Sequence, residues 1–411
     1  MVEIPEHSIQ DSSKGIRREI LAQYMLLATN LAFPAAFAII ISVYFGSSTY
    51  GQIAPLLALL SIISILSDFG AQISAPIILG QLENRDRAVQ CAHVLIQFRI
   101  KLALILFSPA GLVGAAIFLP DNIFIEGATL VLVAGISAAI SPAFYFFSRG
   151  EMHRYAPIVL IVRGPVLVFI FLLAHADKSI YCPLILYSVT PLLVAFFART
   201  RLPRSSIAPL RRQRLTPLIS RKSWALGASA LAANASASLP FLLIAPWISA
   251  EKLGWLHLGA MLSRASASLT EPVGMTLYSR LMSTQGDRTA GKLLWYVNIL
   301  LGASISLIGW IAAEILAHLK LFNVDFINMI QPLALLPTII AAAHLVAVSI
   351  LLRKTGRARH LRANLCGLLV SATGTWLLAT LTGSGTAIAW MIVAGELAVF
   401  STLSLGRLQS K

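Results

Sequence analysis

The chain has 411 residues, of which 57% are hydrophobic and 12% charged, and its mean hydropathy is +0.80. These values lie outside the range of ordinary soluble domains and predict a membrane protein. A net charge of +15 is of the size found in nucleic-acid-binding proteins, but the basic residues lie in alternate segments between apolar runs, which excludes a nucleic-acid partner.

Apolar runs of about 20 residues, the length that crosses a membrane, recur along the whole chain. They predict an all-α membrane protein of about twelve transmembrane helices, arranged as two six-helix lobes around a central cavity. The predicted spans are 24–45, 53–79, 99–119, 124–147, 156–174, 180–198, 223–249, 253–280, 293–317, 326–352, 363–382 and 386–405.

The positions of the basic residues predict the orientation of these spans. Three of the 32 Lys and Arg residues (Lys178, Lys252 and Lys320) lie on one side. Arg163 and Arg264 lie within spans, which leaves 27 on the other side. Short loops rich in Lys and Arg stay in the cytoplasm, so both termini are predicted to be cytoplasmic.

A basic run without any acid separates spans six and seven. We interpret it as a cytoplasmic linker with a weak attraction to anionic membrane lipids. The predicted domains are therefore an N-terminal lobe (1–198), the linker (199–222) and a C-terminal lobe (223–411).

The two halves also resemble each other in sequence. A shift of 203 residues places Tyr50-Gly51 on Leu253-Gly254, and residues 67–70 on residues 270–273. Because each half has an even number of spans, both halves run through the membrane in the same direction. We expect a pseudo-twofold axis along the membrane normal, with the central cavity between the halves.

The sequence lacks the motifs of an ATPase or a metalloenzyme. It has no Gly-x-x-x-x-Gly-Lys-Ser/Thr loop and no His-Glu-x-x-His spacing. Cys91, Cys182 and Cys366 are far apart, which indicates neither a disulfide framework nor a zinc site. The predicted external loops are too short for the domain of a membrane glycosyltransferase or polymerase. We therefore predict a protein that is not an enzyme and that uses no cofactor or metal.

The eighth span carries three ionisable residues on one face. His257, Arg264 and Glu271 are spaced by seven, which brings each within about 20° of the last on a helix. Charges at this depth are costly unless they are paired or hydrated. Arg264 is therefore predicted either to face a water-filled cavity that binds an anion or to pair with an acid of another helix.

Other spans contribute polar residues that can line the same cavity. Asp68 lies on a polar stripe of span two, and Asn30 and Asn234 lie near the middles of spans one and seven. For each Asn, an interhelical hydrogen bond is the alternative. Arg163 in span five either lines the cavity or extends its side chain to the cytoplasmic face.

Several short stretches carry a family resemblance. They are Tyr50-Gly51, Leu-Ser-Asp-Phe-Gly at residues 66–70, the aromatic, Gly-Glu-containing stretch at 146–155, and Gly-Ser-Gly-Thr-Ala-Ile-Ala at 383–389, which leads to Glu396. In this order and at these spans, they resemble the polysaccharide (O-antigen, Wzx-type) flippases of the multidrug/oligosaccharidyl-lipid/polysaccharide exporter superfamily.

The resemblance implies a bacterial inner-membrane protein that moves an undecaprenyl-pyrophosphate-linked oligosaccharide by alternating access. Its partners are then the lipid-linked oligosaccharide, membrane lipids and, as candidates, other proteins of polysaccharide assembly. Arg264 and Arg163 are the implied anion contacts, with His257, Asn30 and Asn234 beside them in the cavity. The three carboxylates either couple ions or protons or bind arginines and backbone groups; they are Asp68, Glu271 and Glu396.

Two other functions remain open at this point. The first is a cation-coupled multidrug exporter of the same superfamily, which needs acidic and aromatic groups in its cavity; two arginines within spans argue against it. The second is a membrane enzyme of polysaccharide assembly, which the short external loops disfavour.

Overall fold

The computed structural model describes residues 6–68, 70–71, 79, 82, 84–119, 124–176, 179–203, 216–270, 288–318, 324–351 and 356–408. Within these ranges every regular element is a helix, and no strand occurs. The helices are α1 (Glu6–Phe45), α2 (Ser47–Asp68), α3 (Arg85–Leu102, a π-helical turn Ala103–Phe107, and Ser108–Phe118), α4 (Phe124–Ile140 and Ala143–Ser148), α5 (Met152–Ala176), α6 (Tyr181–Thr200), α7 (Thr216–Ile244), α8 (Ala250–Ser268), α9 (Arg288–His318), α10 (Val324–Leu333 and Leu336–Leu351), α11 (Gly356–Thr382) and α12 (Gly385–Leu408).

The prediction of an all-α membrane protein with about twelve spans is confirmed. In the described part of the chain, eleven helices are long and apolar enough to cross a membrane. The remaining one is α8, whose 19 described residues include Glu251, Lys252 and Arg264 and are correspondingly less apolar.

Several helix bounds differ from the predicted spans. α1 begins at Glu6, well before the predicted start at residue 24, because a helix continues through polar residues that hydropathy does not register. α2 ends at Asp68 rather than at residue 79. Gly70 follows with φ +65°, the left-handed conformation that commonly terminates a helix.

The helices pack mainly within their own half of the chain. α1 packs on α5, and α6 packs on α4 and α5, whereas α11 packs on both α7 and α12. Contact between the halves is made chiefly by α2, which lies against both α7 and α8, and by α1, which contacts α8. The boundary between the halves therefore contains the second helix of each.

The buried apolar side chains show where the halves are joined. One core cluster combines both halves and covers the end of the bundle at which α2 and α8 begin, here called the Gly51 end. At the opposite end, where α2 finishes (the Asp68 end), the described residues form separate clusters in each half. The shared cluster contains Tyr50, Leu56, Leu253, Leu256, Met329 and Ile388 among others. The described part of the molecule is thus packed shut at the Gly51 end only.

Candidate functional site

A contact between two glycines closes the Gly51 end. A Cβ atom built on Gly51 would lie 1.6 Å from the carbonyl oxygen of Ala250, and one on Gly254 would lie 2.4 Å from that of Ser47. Only glycine permits this approach of backbone to backbone. Gly51 and Gly254 are also the residues that the 203-residue shift superposes, and residues beside a twofold axis are expected to touch their own equivalents.

Next to the glycines, a hydrogen bond joins the halves. The Tyr50 hydroxyl and His257 Nδ1 are 2.7 Å apart, and the Tyr50 side chain is fully buried. The His257 ring also packs edge-on against Phe241 of α7, with ring centroids 4.9 Å apart. His257, predicted to lie in the cavity, is placed by the structure in this seam between α2, α7 and α8.

Arg163 and Asn30 meet in the first half. Arg163 Nη1 donates to the side-chain oxygen of Asn30 and to the carbonyl oxygen of Thr29, 3.4 Å away. The guanidinium carbon lies 5.3 Å from the centre of the Phe33 ring, which adds a cation–π contact. Arg163 Nε is buried without a hydrogen-bond partner, and no carboxylate in the described part of the chain pairs with this guanidinium.

Arg264 in the second half has a carboxylate partner. Its Nη2 donates to Glu396 Oε1 of α12 at 3.2 Å, and its Nη1 donates to the carbonyl oxygen of Ala237 at 2.9 Å. Both side chains of the pair are partly exposed, at 21% and 16%. Arg264 thus makes an ion pair across helices, and its partial exposure leaves its predicted role as an anion contact open to test.

The arginine of each half lies against the first helix of that half, near an internal proline. α1 contains Pro34, five residues after Thr29, and α7 contains Pro240, three residues after Ala237. A proline removes one backbone hydrogen bond and bends the helix there. The carbonyl groups near these bends accept hydrogen bonds from the two guanidinium groups.

Asp68 forms an ion pair with Arg99, a residue that the sequence did not single out as a partner. Arg99 of α3 is 1% exposed, and its Nη2 donates to Asp68 Oδ1 at 2.8 Å. Arg99 also donates to the carbonyl oxygens of Ser67, Ala138 and Ser141. In an unbroken helix the Ala138 oxygen would bond the amide of residue 142, but that residue is proline and has none. Arg99 thus donates hydrogen bonds to carbonyl groups at the break in α4, and it also pairs with Asp68.

The predicted site residues therefore form four separate groups in the described structure, one of which is the pair of Asp68 and Arg99. Arg163 lies with Asn30, Arg264 with Glu396, and His257 with Tyr50. Asn234 donates only to the carbonyl oxygen of Ala230 in its own helix and is exposed. Glu271 lies outside the described residues.

Two of the residues in these contacts were not recognised as site residues from sequence. Arg99 was counted among the cytoplasmic basic residues, although an acid at the end of span two and a Ser-Pro interruption in span four both required a partner. Tyr50 entered only as part of a motif. No group of three or more His, Cys, Asp or Glu residues that can hold a metal ion occurs within the ranges that the structure describes.

Solved structures share this arrangement of helices, although no protein-family model and no curated protein matches the sequence. The lipid II flippase MurJ, in an inward closed conformation, aligns with a TM-score of 0.68 and 11% identity over 94% of this chain and 87% of that chain. An inward-facing multidrug resistance MATE family transporter of the MOP superfamily gives a TM-score of 0.65 and 13% identity over 95% and 98%.

A MOP superfamily transporter from Pyrococcus furiosus gives a TM-score of 0.59 and 14% identity over 96% of this chain and 95% of that chain. The binding pocket of that transporter is reported to have a reversed polarity, which suggested a different function for it. All three of these structures are named as transporters or as a flippase, and none is named as an enzyme. The chain therefore has the fold of the MOP-superfamily transporters.

Proposed function

We propose that the protein moves an undecaprenyl-pyrophosphate-linked oligosaccharide across the bacterial inner membrane by alternating access. The 27 basic residues on one side support an orientation with both termini and the 199–222 linker in the cytoplasm. In that orientation the Gly51 end is external. Among the described residues, the two halves share a core at the external end and have separate cores at the other, which fits a state that receives substrate from the cytoplasm.

The observation that carries the proposal is the guanidinium of Arg163. It lies within a membrane span, one of its nitrogens has no hydrogen-bond partner, and no described carboxylate neutralises it. Such a charge is costly in a membrane unless water or an anion accompanies it. A guanidinium binds two phosphate oxygens at once, so the pyrophosphate of a lipid-linked oligosaccharide fits this position.

The second half contributes a guanidinium whose charge is already neutralised. Arg264 binds Glu396 at 3.2 Å, in a pair that is partly exposed. We propose that the incoming pyrophosphate displaces the carboxylate, so that substrate binding breaks a link between α8 and α12. Glu396 is then free to take up a proton, which gives this carboxylate a role in coupling.

A multidrug exporter is the second candidate, because one of the similar structures is named as a multidrug resistance transporter. A cationic drug requires an acid that is available to it. Of the carboxylates predicted to couple ions, Asp68 is paired with Arg99 and Glu396 with Arg264, so neither offers an unneutralised charge near the two arginines of the spans. This pairing favours an anionic substrate over a cationic one.

The test is complementation of a deletion strain, with surface polysaccharide as the measurement. Arg163→Ala should reduce surface polysaccharide at least tenfold while the protein still inserts. Arg163→Lys should restore only part of the surface polysaccharide, since lysine keeps the charge but lacks the paired N–H donors of the guanidinium. The matched control is Arg154→Ala, because Arg154 lies on the same helix but is 52% exposed and pairs with Glu151. Normal surface polysaccharide with well-expressed Arg163→Ala would refute the proposal.

A further inference from the structure

A second polar site lies away from both arginines, at the Gly51 end of the second half. A cavity of about 160 Å³ opens between α9, α10 and α12. Two contacts at this end connect α8 to the segments that form the cavity. Lys252 Nζ donates to the carbonyl oxygen of Gly383 at 3.2 Å, and Trp255 packs on Phe326 with ring centroids 4.4 Å apart. The lining residues are Trp310, Asn328, Gln331, Pro332, Thr386 and Trp390.

The polar groups of this cavity are largely without partners. Within the described part of the chain, the side chains of Trp310, Asn328, Thr386 and Trp390 make no hydrogen bond. Gln331 donates its amide to Glu314 Oε1 at 2.6 Å, which leaves its own carbonyl oxygen available. Asn328 and Trp390 are exposed, so these donors and acceptors are accessible to a ligand.

The types of these groups define the ligand. The two indole nitrogens only donate, the free oxygen of Gln331 only accepts, and the amide of Asn328 and the hydroxyl of Thr386 do both. None of the lining residues is a cation, so the cavity has no group to neutralise a phosphate. Sugar hydroxyls donate and accept alike, and the flat C–H face of a sugar ring packs well on indole rings.

The surface beside the cavity is apolar. Leu307 of α9, three residues before Trp310, is 61% exposed, and Leu397 of α12, seven residues after Trp390, is 44% exposed, so each shares a helix face with a lining tryptophan. Trp390 is itself 48% exposed, so the cavity opens sideways onto this surface rather than into the bundle. A hydrocarbon chain can lie along these leucines while a polar head occupies the cavity.

We propose that this cavity binds a membrane lipid whose head carries a sugar ring, in the leaflet at the Gly51 end. One source is the transported oligosaccharide lipid after it has crossed the membrane, and this source rests on the proposed function. The other is a resident glycolipid. Both offer the same chemistry, a neutral ring of hydroxyls on a hydrocarbon anchor.

The test uses the full chain in nanodiscs that contain equal amounts of three probes with identical chains: monoglucosyl diacylglycerol, diacylglycerol and phosphatidylglycerol. Native mass spectrometry measures which lipid is retained. The wild type should retain the glucosyl lipid preferentially. Asn328→Leu, which keeps the side-chain size and removes its hydrogen bonds, should lower that retention about fivefold to tenfold.

Trp390→Phe removes the indole N–H but keeps an aromatic ring, and it should lower retention of the glucosyl lipid about threefold. Trp376→Phe is the control, because Trp376 is 45% exposed on the neighbouring helix α11 and lies outside the cavity. It should leave retention unchanged. Equal retention of the three lipids by the wild type, or unchanged retention by a folded Asn328→Leu variant, would overturn the proposal.

Transport of a polyprenyl-pyrophosphate-linked oligosaccharide by Asn328→Leu then identifies the source. Slower transport assigns the site to the transported lipid, and normal transport with lost binding assigns it to a resident glycolipid. The two proposals fail in different ways. If the proposed function is wrong, glucosyl lipid binding persists without oligosaccharide transport; if this inference is wrong, transport proceeds without preferential binding.

Discussion

Replacing Gly51 by alanine tests whether the seam at the Gly51 end is a closed contact between the halves. The new methyl group would lie 1.6 Å from the Ala250 oxygen, where real contacts of this kind stay above 3.0 Å. Because the obstacle is backbone, α2 and α8 must separate by about 1.4 Å or more, the difference between these distances. The 2.7 Å hydrogen bond between Tyr50 and His257 would then exceed the length of a normal hydrogen bond.

The expected cost of this change follows from the two losses together. Overpacking costs about 1 to 3 kcal/mol, and a lost hydrogen bond about 0.5 to 1.5 kcal/mol. Since each 1.4 kcal/mol changes an equilibrium about tenfold, the closed state should lose roughly tenfold to a thousandfold in population relative to states that are open at this end. Gly254→Ala should act in the same direction.

Double electron–electron resonance measures the effect directly. In a chain whose three native cysteines are replaced, spin labels at cysteines introduced for Ser48 and Glu251, both exposed at the Gly51 end, should give a single short distance, and a longer one when Gly51→Ala is added. Gly309→Ala is the control, because its Cβ would meet only the Ala334 Cβ at an ordinary 3.6 Å. An unchanged distance in Gly51→Ala would refute the closed seam.

Three further predictions follow from the ion pairs and the charge distribution. Arg99→Met should reduce the yield of folded protein, because removing one partner of a buried pair costs about 3 to 5 kcal/mol. Asp68→Asn added to it should restore only part, since the hydrogen bonds that Arg99 donates to three carbonyl oxygens stay lost. Thermal unfolding in detergent measures both. Arg264→Ala should lose both folded yield and transport. Adding Glu396→Gln should restore folding but not transport, if Arg264 both pairs with Glu396 and binds the substrate anion. Full transport by Arg264→Ala alone would contradict both roles. In a chain without its native cysteines, a cysteine at Ser206 should resist membrane-impermeant labelling of intact cells, and efficient labelling would reverse the proposed orientation.

The sequence determined the helices more completely than the contacts between them. Long apolar runs specify spans because a membrane leaves few other structures for the backbone, so the twelve helices were predictable. Helix ends were less so: the start of α1 at Glu6 leaves no trace in hydropathy, and the end of α2 depends on the conformation of Gly70.

The partners of charged residues were the least predictable feature. Arg99 and Asp68 are far apart in sequence, and Arg99 lies at the edge of a span, where a basic residue is ordinarily explained by the positive-inside rule. The spacing of His257 and Arg264 correctly placed both on α8 but carried no information on the helices opposite. The two side chains have partners on different helices: His257 is within hydrogen-bond distance of Tyr50 of α2, and Arg264 pairs with Glu396 of α12.

We propose that the protein moves a pyrophosphate-linked oligosaccharide lipid, with Arg163 as an anion contact. The most direct test of this proposal is a proteoliposome assay with a fluorescent polyprenyl-pyrophosphate-linked oligosaccharide, in which a membrane-impermeant reagent measures the fraction that has changed leaflet. The account predicts fast transfer with the wild type and with Arg154→Ala, and transfer reduced at least tenfold with Arg163→Ala. Transfer by the wild type no faster than in protein-free liposomes, together with uptake of a cationic dye, would contradict it and make the protein a drug exporter.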